Sequence, residues 1–365
     1  MTDSKPAISL FAGLSPAQIA DKLDHVEYNR PAICDILEKQ NKLYGAAAAT
    51  FDNIGRLRES NALCVFSGQQ AGLFGGPMLI MIKALAIVKC ARLYSEKLGR
   101  SVVPIFWIAG DDHDYEEVNH TFVFDRETER IKCEYSIPPE RELPTSEIKF
   151  DDKAELEKAR AQLWQAVGKS DFTPELAAML ERCYTPDDTY VTAFGKLMAA
   201  LTSEYGLILF SPSDPEAKRL AIPFFKQIIG RQDAMHQRLN DANSRIQQDG
   251  YHIQVEKKDN AVDLFYNDSG RRPILRAGDN FVCGEQSFTA QELIRLIEER
   301  PERFSPDVMT RPVLQSYLFP VLSQKGGASE IAYLAQMNGI FDLFERVTPY
   351  YRARPSLTII EKRFE

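Results

Sequence analysis

Two short apolar runs, residues 61–67 and 102–109, flank a glycine-rich turn and one apolar helical stretch, and this spacing constrains the fold more than any other feature. The first run ends in glycine and reads as a buried strand. The second is rich in β-branched and aromatic residues and reads the same way. The stretch between them, from about residue 76 to Lys97, has helical character and is closed by Gly99. Strand, helix and strand within fewer than 50 residues form a βαβ unit, which requires a parallel sheet with helices on its faces.

The remaining segments fit around that unit. Residues 14–60 look helical, with Ser15-Pro16 opening one helix and Arg30-Pro31 interrupting the pattern. Residues 120–124 and 131–136 alternate like antiparallel strands, and 152–204 look helical. Residues 207–210 are a third short apolar strand, followed by a turn at 211–214 and a helix to about Gln248. Residues 251–285 read as a β-meander with strands at 252–255, 262–265 and 273–276; 289–299 read as a helix, and the last 50 residues as mixed helix and strand. The expected fold class is α/β: a Rossmann-like parallel-sheet core with connecting insertions, partly helical and partly antiparallel β. N-terminal helices occupy 1–60, with insertions at about 120–204 and 250–310. A chain of 365 residues exceeds the size at which a single core usually stops growing, so one large domain with insertions or two domains are expected.

Charge and cysteine usage exclude several classes. With 52 acidic against 44 basic residues the net charge is −8, which argues against a nucleic-acid partner and leaves room for a local basic pocket. The six cysteines form no CxxC pair, as expected in a reducing compartment; Cys64 and Cys90 sit in apolar runs and read as small core residues. The polar residues 1–6 carry no signal-peptide core. The longest apolar run, 77–88, is interrupted by Lys83 and falls short of the roughly 20 residues a bilayer span needs. A cytoplasmic protein with no membrane partner is expected.

Three segments carry chemistry. In the first, residues 68–76, Gly68, Gly72, Gly75 and Gly76 join a strand to a helix, with Gln69 and Gln70 adding side-chain amides. Glycines let backbone approach a ligand, and a helix N-terminus favours phosphate or carboxylate. The spacing is neither GxGxxG nor a Walker A loop, and a tight packing turn is the alternative. Lys83, about two turns into the helix, reads as a lysine snorkelling to the surface rather than as a phosphate contact.

The second segment, residues 110–119, packs Asp111, Asp112, Asp114, Glu116, Glu117 and His113 directly after a strand. Crowded like charges are unfavourable unless a cation, an ammonium group or a catalytic proton needs them. Asp111 and Asp112 could bind Mg²⁺, the acids could hold a substrate ammonium, or Asp112 or His113 could act as general base; a solvated acidic turn is the bland alternative. His120, just beyond, reads equally as structural. The third segment holds Arg311, then Gly326-Gly327 before a helix on which Ser329 is a candidate N-cap. Glu330, Tyr333 and Gln336 follow at intervals of three and share one face. Arg352 and Arg354, close to Ser356, suit a carboxylate or phosphate.

These motifs resemble the bacillithiol-synthesis cysteine ligase family (BshC). The resemblance rests on residues 68–77, 106–114 and 116–120, on Gly326-Gly327 with 330–333 and Gln336, and on 354–356 with Ile360-Glu361. After the double glycine the family has Pro-Gly where this chain has Ala328-Ser329. The resemblance implies a Rossmann-like core related to nucleotidyl-transferring synthetases, and a ligase joining the cysteine carboxyl group to the amine of glucosaminyl-malate. It implies ATP and Mg²⁺, with an acyl phosphate or adenylate on Gly68, Gln69, Gln70, Gly72, Gly75 and Gly76. Catalysis falls to Asp111, Asp112, His113 and Asp114, and substrate binding to Glu117, Asn119, Arg311, Glu330, Tyr333, Gln336, Arg354 and Ser356. It further implies a homodimer formed by a C-terminal coiled coil, an element expected to be absent from a sequence that stops at Glu365. A metal-dependent hydrolase or phosphotransferase on the acidic turn, and a non-catalytic binding protein, are the competing expectations. All of them assume that the glycine turn and the acidic turn end neighbouring strands and face one crevice.

Overall fold

A computed structural model describes residues 13–268 and 270–360; residues 1–6 and Glu361, named above, lie outside them. The strands are β1 (Leu63–Gln69), β2 (Val102–Ile108), β3 (His120–Phe124), β4 (Arg130–Glu134), β5 (Ile208–Phe210), β6 (Ala261–Asn267), β7 (Arg271–Ala277), β8 (Asn280–Cys283), β9 (Gln286–Phe288), β10 (Phe304–Pro306), β11 (Val321–Gly326) and β12 (Tyr350–Ala353). The central sheet runs β12-β11-β1-β2-β5, and every pairing in it is parallel. This is the α/β parallel core expected from the sequence.

Side-chain alternation divides the core into two layers. Val65, Phe106 and Ile108 pack with the helices Leu79–Leu98 and Tyr190–Leu201 on one face. Phe66, Ile105 and Trp107 pack with the helices Arg30–Leu43, Pro215–Gly230 and Thr310–Leu318 on the other. The chain therefore winds outward from β1 through β2 to β5, then returns to β11 on the far side of β1. Strand order reverses between β1 and β11, and in an open parallel sheet such a reversal leaves a crevice at the carboxyl ends of the strands.

Between β2 and β5 lie the β3–β4 hairpin and the helices Lys153–Val167, Thr173–Cys183 and Tyr190–Leu201. Between β5 and β11 lies an antiparallel sheet of order β10-β6-β7-β8-β9. Cys64 and Cys90 are buried, like the other four cysteines, and all six are free.

Several local expectations are corrected. The helix after the glycine turn starts at Leu79 rather than Gly76, because Phe74, Gly75 and Gly76 all take positive φ before Pro77. Residues 252–255 are not a strand: both backbone groups of Val255 bond to the Gln336 side chain instead of a ladder. The run to Gln248 is two helices, Pro215–Gly230 and Gln232–Gln248, and the residues 273–276 belong to a longer strand, β7.

The edge strand β5 is closed by side chains. Asn41 donates to Leu209 O at 2.8 Å and accepts from Leu209 N at 3.1 Å. Gln40 does the same for Ser211, donating to its O at 3.0 Å and accepting from its N at 2.8 Å. Two buried carboxamides thus stand in for a neighbouring strand, which removes an exposed edge. Replacing Asn41 by Leu leaves a buried N–H and C=O unpaired, at about 1–3 kcal/mol for each group. Denaturant unfolding of Asn41→Leu is expected to show a clearly lowered midpoint, and an unchanged midpoint would refute the pairing.

Candidate active site

The crevice between β1 and β11 is a cavity of about 610 Å³, within the range of small-molecule sites. Gly68, Gln69 and Gln70 line it from β1 and its turn, Trp107, Ala109 and Asp112 from β2 and its turn. Leu79 and Lys83 add to it from the helix after the glycine turn, and Arg311, Gln315, Gln324, Gly327, Glu330, Tyr333 and Arg354 are among the residues that close it. The two turns do face one crevice, and their strands pair in register, with Gly68 opposite Trp107 and Gln69 opposite Ile108. Gly68 has to be glycine here: a Cβ on it would lie 2.6 Å from the Trp107 carbonyl oxygen.

The glycine turn divides into two parts. Gly72, Gly75 and Gly76, expected to cradle phosphate, do not line the cavity. Gly72 O accepts from the buried Tyr184 hydroxyl at 3.3 Å, and Gly75 N–H donates to it at 3.0 Å. Gly75 and Gly76 border a separate apolar groove with Phe122, Trp164 and Leu197. These three glycines shape the turn, and only Gly68, Gln69 and Gln70 reach the cleft.

Lys83 corrects the sequence reading most. It does not snorkel: its side chain is 3% exposed and lines the cleft. Its ammonium donates to Gly68 O at 3.1 Å and Gln69 Oε1 at 2.8 Å, and pairs with Glu330 Oε2 at 2.8 Å. The same Glu330 oxygen accepts from Gly327 N–H at 2.7 Å. Gly327, not Ser329, is therefore the N-cap of the helix Ala328–Gln336. One buried cation joins the end of β1 to the first turn of a helix about 250 residues later in the chain.

The acidic turn is held rather than loose. Thr145 N–H donates to Asp112 O at 2.8 Å and Ser146 N–H to Gly110 O at 3.1 Å, which pins it to the first insertion. Asp112 faces the cleft, accepting from Gln70 Nε2 at 3.0 Å and from His113 N–H at 2.9 Å. Gln70 also bonds to the exposed Glu117. Arg271, on β7, brings Nη1 to 4.0 Å from Asp112 and stacks 3.7 Å over the Phe265 ring. Asp111 points elsewhere: Lys218 reaches it at 2.8 Å and Ser213 Oγ at 3.0 Å. Burial pushes the Lys218 ammonium below its usual range, with Asp111 opposing, and does the same to Arg271, with Asp112 and Asp111 opposing.

Other expected residues fall outside the cleft. His113 packs behind Asp112, its Nδ1 3.7 Å from Asp112 Oδ1. Asp114 is exposed at the start of the short helix Tyr115–Val118. Asn119 is buried and bonds to Glu134 and His120, bracing the hairpin. Gln336 is fully buried and holds Val255 and Asn243, so it leaves the stripe of Glu330 and Tyr333 for a structural role. Ser356 is exposed and does not line the cavity. Arg311 does, with Nη2 3.3 Å from the Tyr333 hydroxyl, as does Arg354, whose Nε has no hydrogen-bond partner among the described residues. Arg271, Trp107, Gln315 and Gln324 were missed by sequence reasoning. Only Lys83 offered a signal, as the one charge in the apolar run 77–88.

A magnesium site built from both Asp111 and Asp112 does not fit, because Lys218 already neutralises Asp111. Among the described residues no three His, Cys, Asp or Glu side chains converge as metal ligands.

Removing Lys83 strands the Glu330 carboxylate. Lys83→Met is expected to cost roughly 1–3 kcal/mol, below the value for a fully buried pair because Glu330 is 30% exposed. Glu330→Gln keeps an acceptor for Gly327 N–H but leaves the 3% exposed Lys83 ammonium without a counter-charge, and is expected to cost a similar amount. Denaturant unfolding of the two variants checks this; negligible effects of both would contradict the bridge.

The sequence has counterparts among known proteins. Proteins named "Putative cysteine ligase BshC" from Bacillus thuringiensis (strain Al Hakam) and Bacillus anthracis (strain CDC 684 / NRRL 3495) are each 33% identical over 353 residues, covering 94% of this chain. One of the same name from Bacillus cereus (strain AH187) is 32% identical over the same length. The chain spans 64% of the length of these relatives. The family model described as "Bacillithiol biosynthesis BshC, N-terminal Rossmann-like domain" matches residues 15–355. The chain therefore belongs to the BshC family and comprises its N-terminal Rossmann-like domain.

Proposed function

We propose that this chain carries the catalytic cleft of a cytoplasmic cysteine ligase, which joins the carboxyl group of cysteine to the amine of glucosaminyl-malate in bacillithiol synthesis. Family membership and the relatives' printed name support the reaction class. The observation that carries the reading is the convergence in one cavity of Asp112 and Gln70 with Lys83, Arg311 and Arg354. No helix among the described residues is long and apolar enough to cross a membrane.

The division of charge assigns roles. An amine attacks a carbonyl only when neutral, so a carboxylate beside it is needed to take its proton. Asp112 is the carboxylate of the acidic turn that lines the cavity, and Gln70 and the backbone of His113 hold it in place, whereas Glu330, the other lining acid, is paired with Lys83. Arg311 and Arg354 suit the two malate carboxylates, since guanidinium groups bind carboxylates in paired hydrogen bonds. A free carboxylic acid does not form an amide unaided. ATP is the proposed co-reactant: it activates the cysteine carboxyl as an acyl phosphate or adenylate, and that oxygen leaves with phosphate or AMP as the amide bond forms. The bare backbone at Gly68 and the amides of Gln69 and Gln70 offer the activated group a close approach. No step is assigned to a metal. The relatives' printed name favours the ligase over a metal-dependent hydrolase or phosphotransferase on the acidic turn.

Purified chain mixed with cysteine, glucosaminyl-malate, ATP and Mg²⁺ is expected to yield the coupled thiol by mass, and to yield none when ATP is left out. Asp112→Asn is expected to lower the rate by about 10²-fold or more with the fold retained, as for loss of a general base. His113→Ala, whose ring packs behind Asp112, is expected to cost less. Wild-type turnover by Asp112→Asn would overturn the assignment, and ligand binding without product in the unaltered chain would make it a binding protein.

A further inference from the structure

The two adjacent aspartates of the acidic turn each meet a buried cation, and one strand of the second insertion sets where both cations stand. On β10, Phe304 O accepts from Lys218 Nζ at 2.8 Å. Ser305 Oγ accepts from Arg271 Nε at 3.1 Å, and Pro306 O from Arg271 Nη2 at 3.3 Å. Lys218 carries on to Asp111, and Nη1 of Arg271 extends toward Asp112. The next residue, Asp307, accepts from the N–H groups of Met309 and Thr310 through Oδ1, both at 2.9 Å, and from Arg311 N–H through its carbonyl at 3.0 Å. Four consecutive residues, 304–307, thus fix both counter-charges of the turn and the start of the helix that brings Arg311 to the cleft.

Arg271 is held more firmly than its own sheet requires. Its side chain is 13% exposed and stacks over the Phe265 ring. Bonds to a hydroxyl and a carbonyl call for a donor, not for a charge. A guanidinium taken out of water does call for a counter-charge, and among the described residues the only carboxylate within 4.0 Å of it is Asp112. Asp112 is strung between two parts of the molecule: Oδ2 accepts from Gln70 on the glycine turn, while Oδ1 accepts from His113 N–H and faces Arg271. At 4.0 Å the guanidinium attracts that oxygen without forming a direct hydrogen bond. A carboxylate has about four lone-pair sites, so Asp112 is held by charge while it keeps acceptor capacity for a substrate proton.

We infer that Arg271 is a positioning residue for Asp112: anchored by β10, its charge keeps the carboxylate turned along the cleft, and the second insertion thereby takes part in the reaction. This rests on Asp112 being the proton acceptor proposed above and assigns what orients it.

The test has one arm that needs turnover and one that does not. The Gln70 side-chain amide and the His113 backbone amide both donate to Asp112, so their NMR signals report on that carboxylate in the resting chain, and Asp112→Asn identifies them. Arg271→Gln removes the charge and keeps a polar side chain, whereas Arg271→Lys keeps the charge and removes the fork. Both signals are expected to move in Arg271→Gln and to stay near their original positions in Arg271→Lys. In the coupling assay Arg271→Gln is expected to lower kcat about tenfold or more and to leave KM for the amine substrate within about twofold, as for a group that acts through the base. Arg271→Lys is expected to recover most of that rate. Ser305→Ala, which removes one anchor and leaves every charge in place, is expected to move the same two signals by less, and it decides the matter if Arg271→Gln does not fold. An unaltered chain that yields no product counts against the ligase reading, while the NMR arm still judges the inference. Signals that stay in place in a folded Arg271→Gln, or that move equally in Arg271→Gln and Arg271→Lys, or that ignore Ser305→Ala when it alone folds, overturn it.

Discussion

One ammonium group, the Nζ of Lys83, joins the two sides of the crevice at which strand order reverses. Its three N–H bonds end on Gly68, Gln69 and Glu330. β1 and the helix Ala328–Gln336 come from opposite ends of the sequence, and they border a cavity rather than packing together. A crevice at a switch point has no core of its own, so its width depends on contacts that cross it. Lys83 is such a contact, and through Glu330 it also sets the first turn of the helix that carries Tyr333. The β11-β1-β2 ladder brings the glycine turn, the acidic turn and the third segment to one sheet edge, and Lys83 ties two of them together across the crevice.

The charge pattern follows from the same geometry. Asp111 and Asp112 are adjacent in sequence but point to opposite sides of their turn. One is neutralised by the buried Lys218, and the other is left facing the cleft. The crowding that made the acidic turn conspicuous is thus resolved by partners brought from both insertions. Thr145 and Ser146 hold its backbone, and Arg271 approaches from β7. The insertions act as supports for the turn as well as additions to the fold.

What the sequence revealed was what local pattern encodes. Short apolar runs marked β1, β2 and β5, because strands buried on both faces have no polar positions. Glycine and acid clusters marked the turns, since neither residue type accumulates there without cause. What it hid was long-range pairing. Lys83 looked like a surface lysine because its acceptors lie at 68–69 and 330, and Gln336 looked like a site residue because nothing nearby announces that it clasps residue 255. Val255 resembled a strand residue, yet its partner is a side chain. Arg271 and Gln315 gave no local sign, as each becomes part of the site only through tertiary contact.

A crystal structure of the chain with glucosaminyl-malate tests the central claim most directly. The account predicts the ligand in the β1–β11 crevice, its amine within hydrogen-bond reach of Asp112 and its carboxylates on Arg311 and Arg354. Clear density for the ligand elsewhere, with this crevice unchanged, would contradict it.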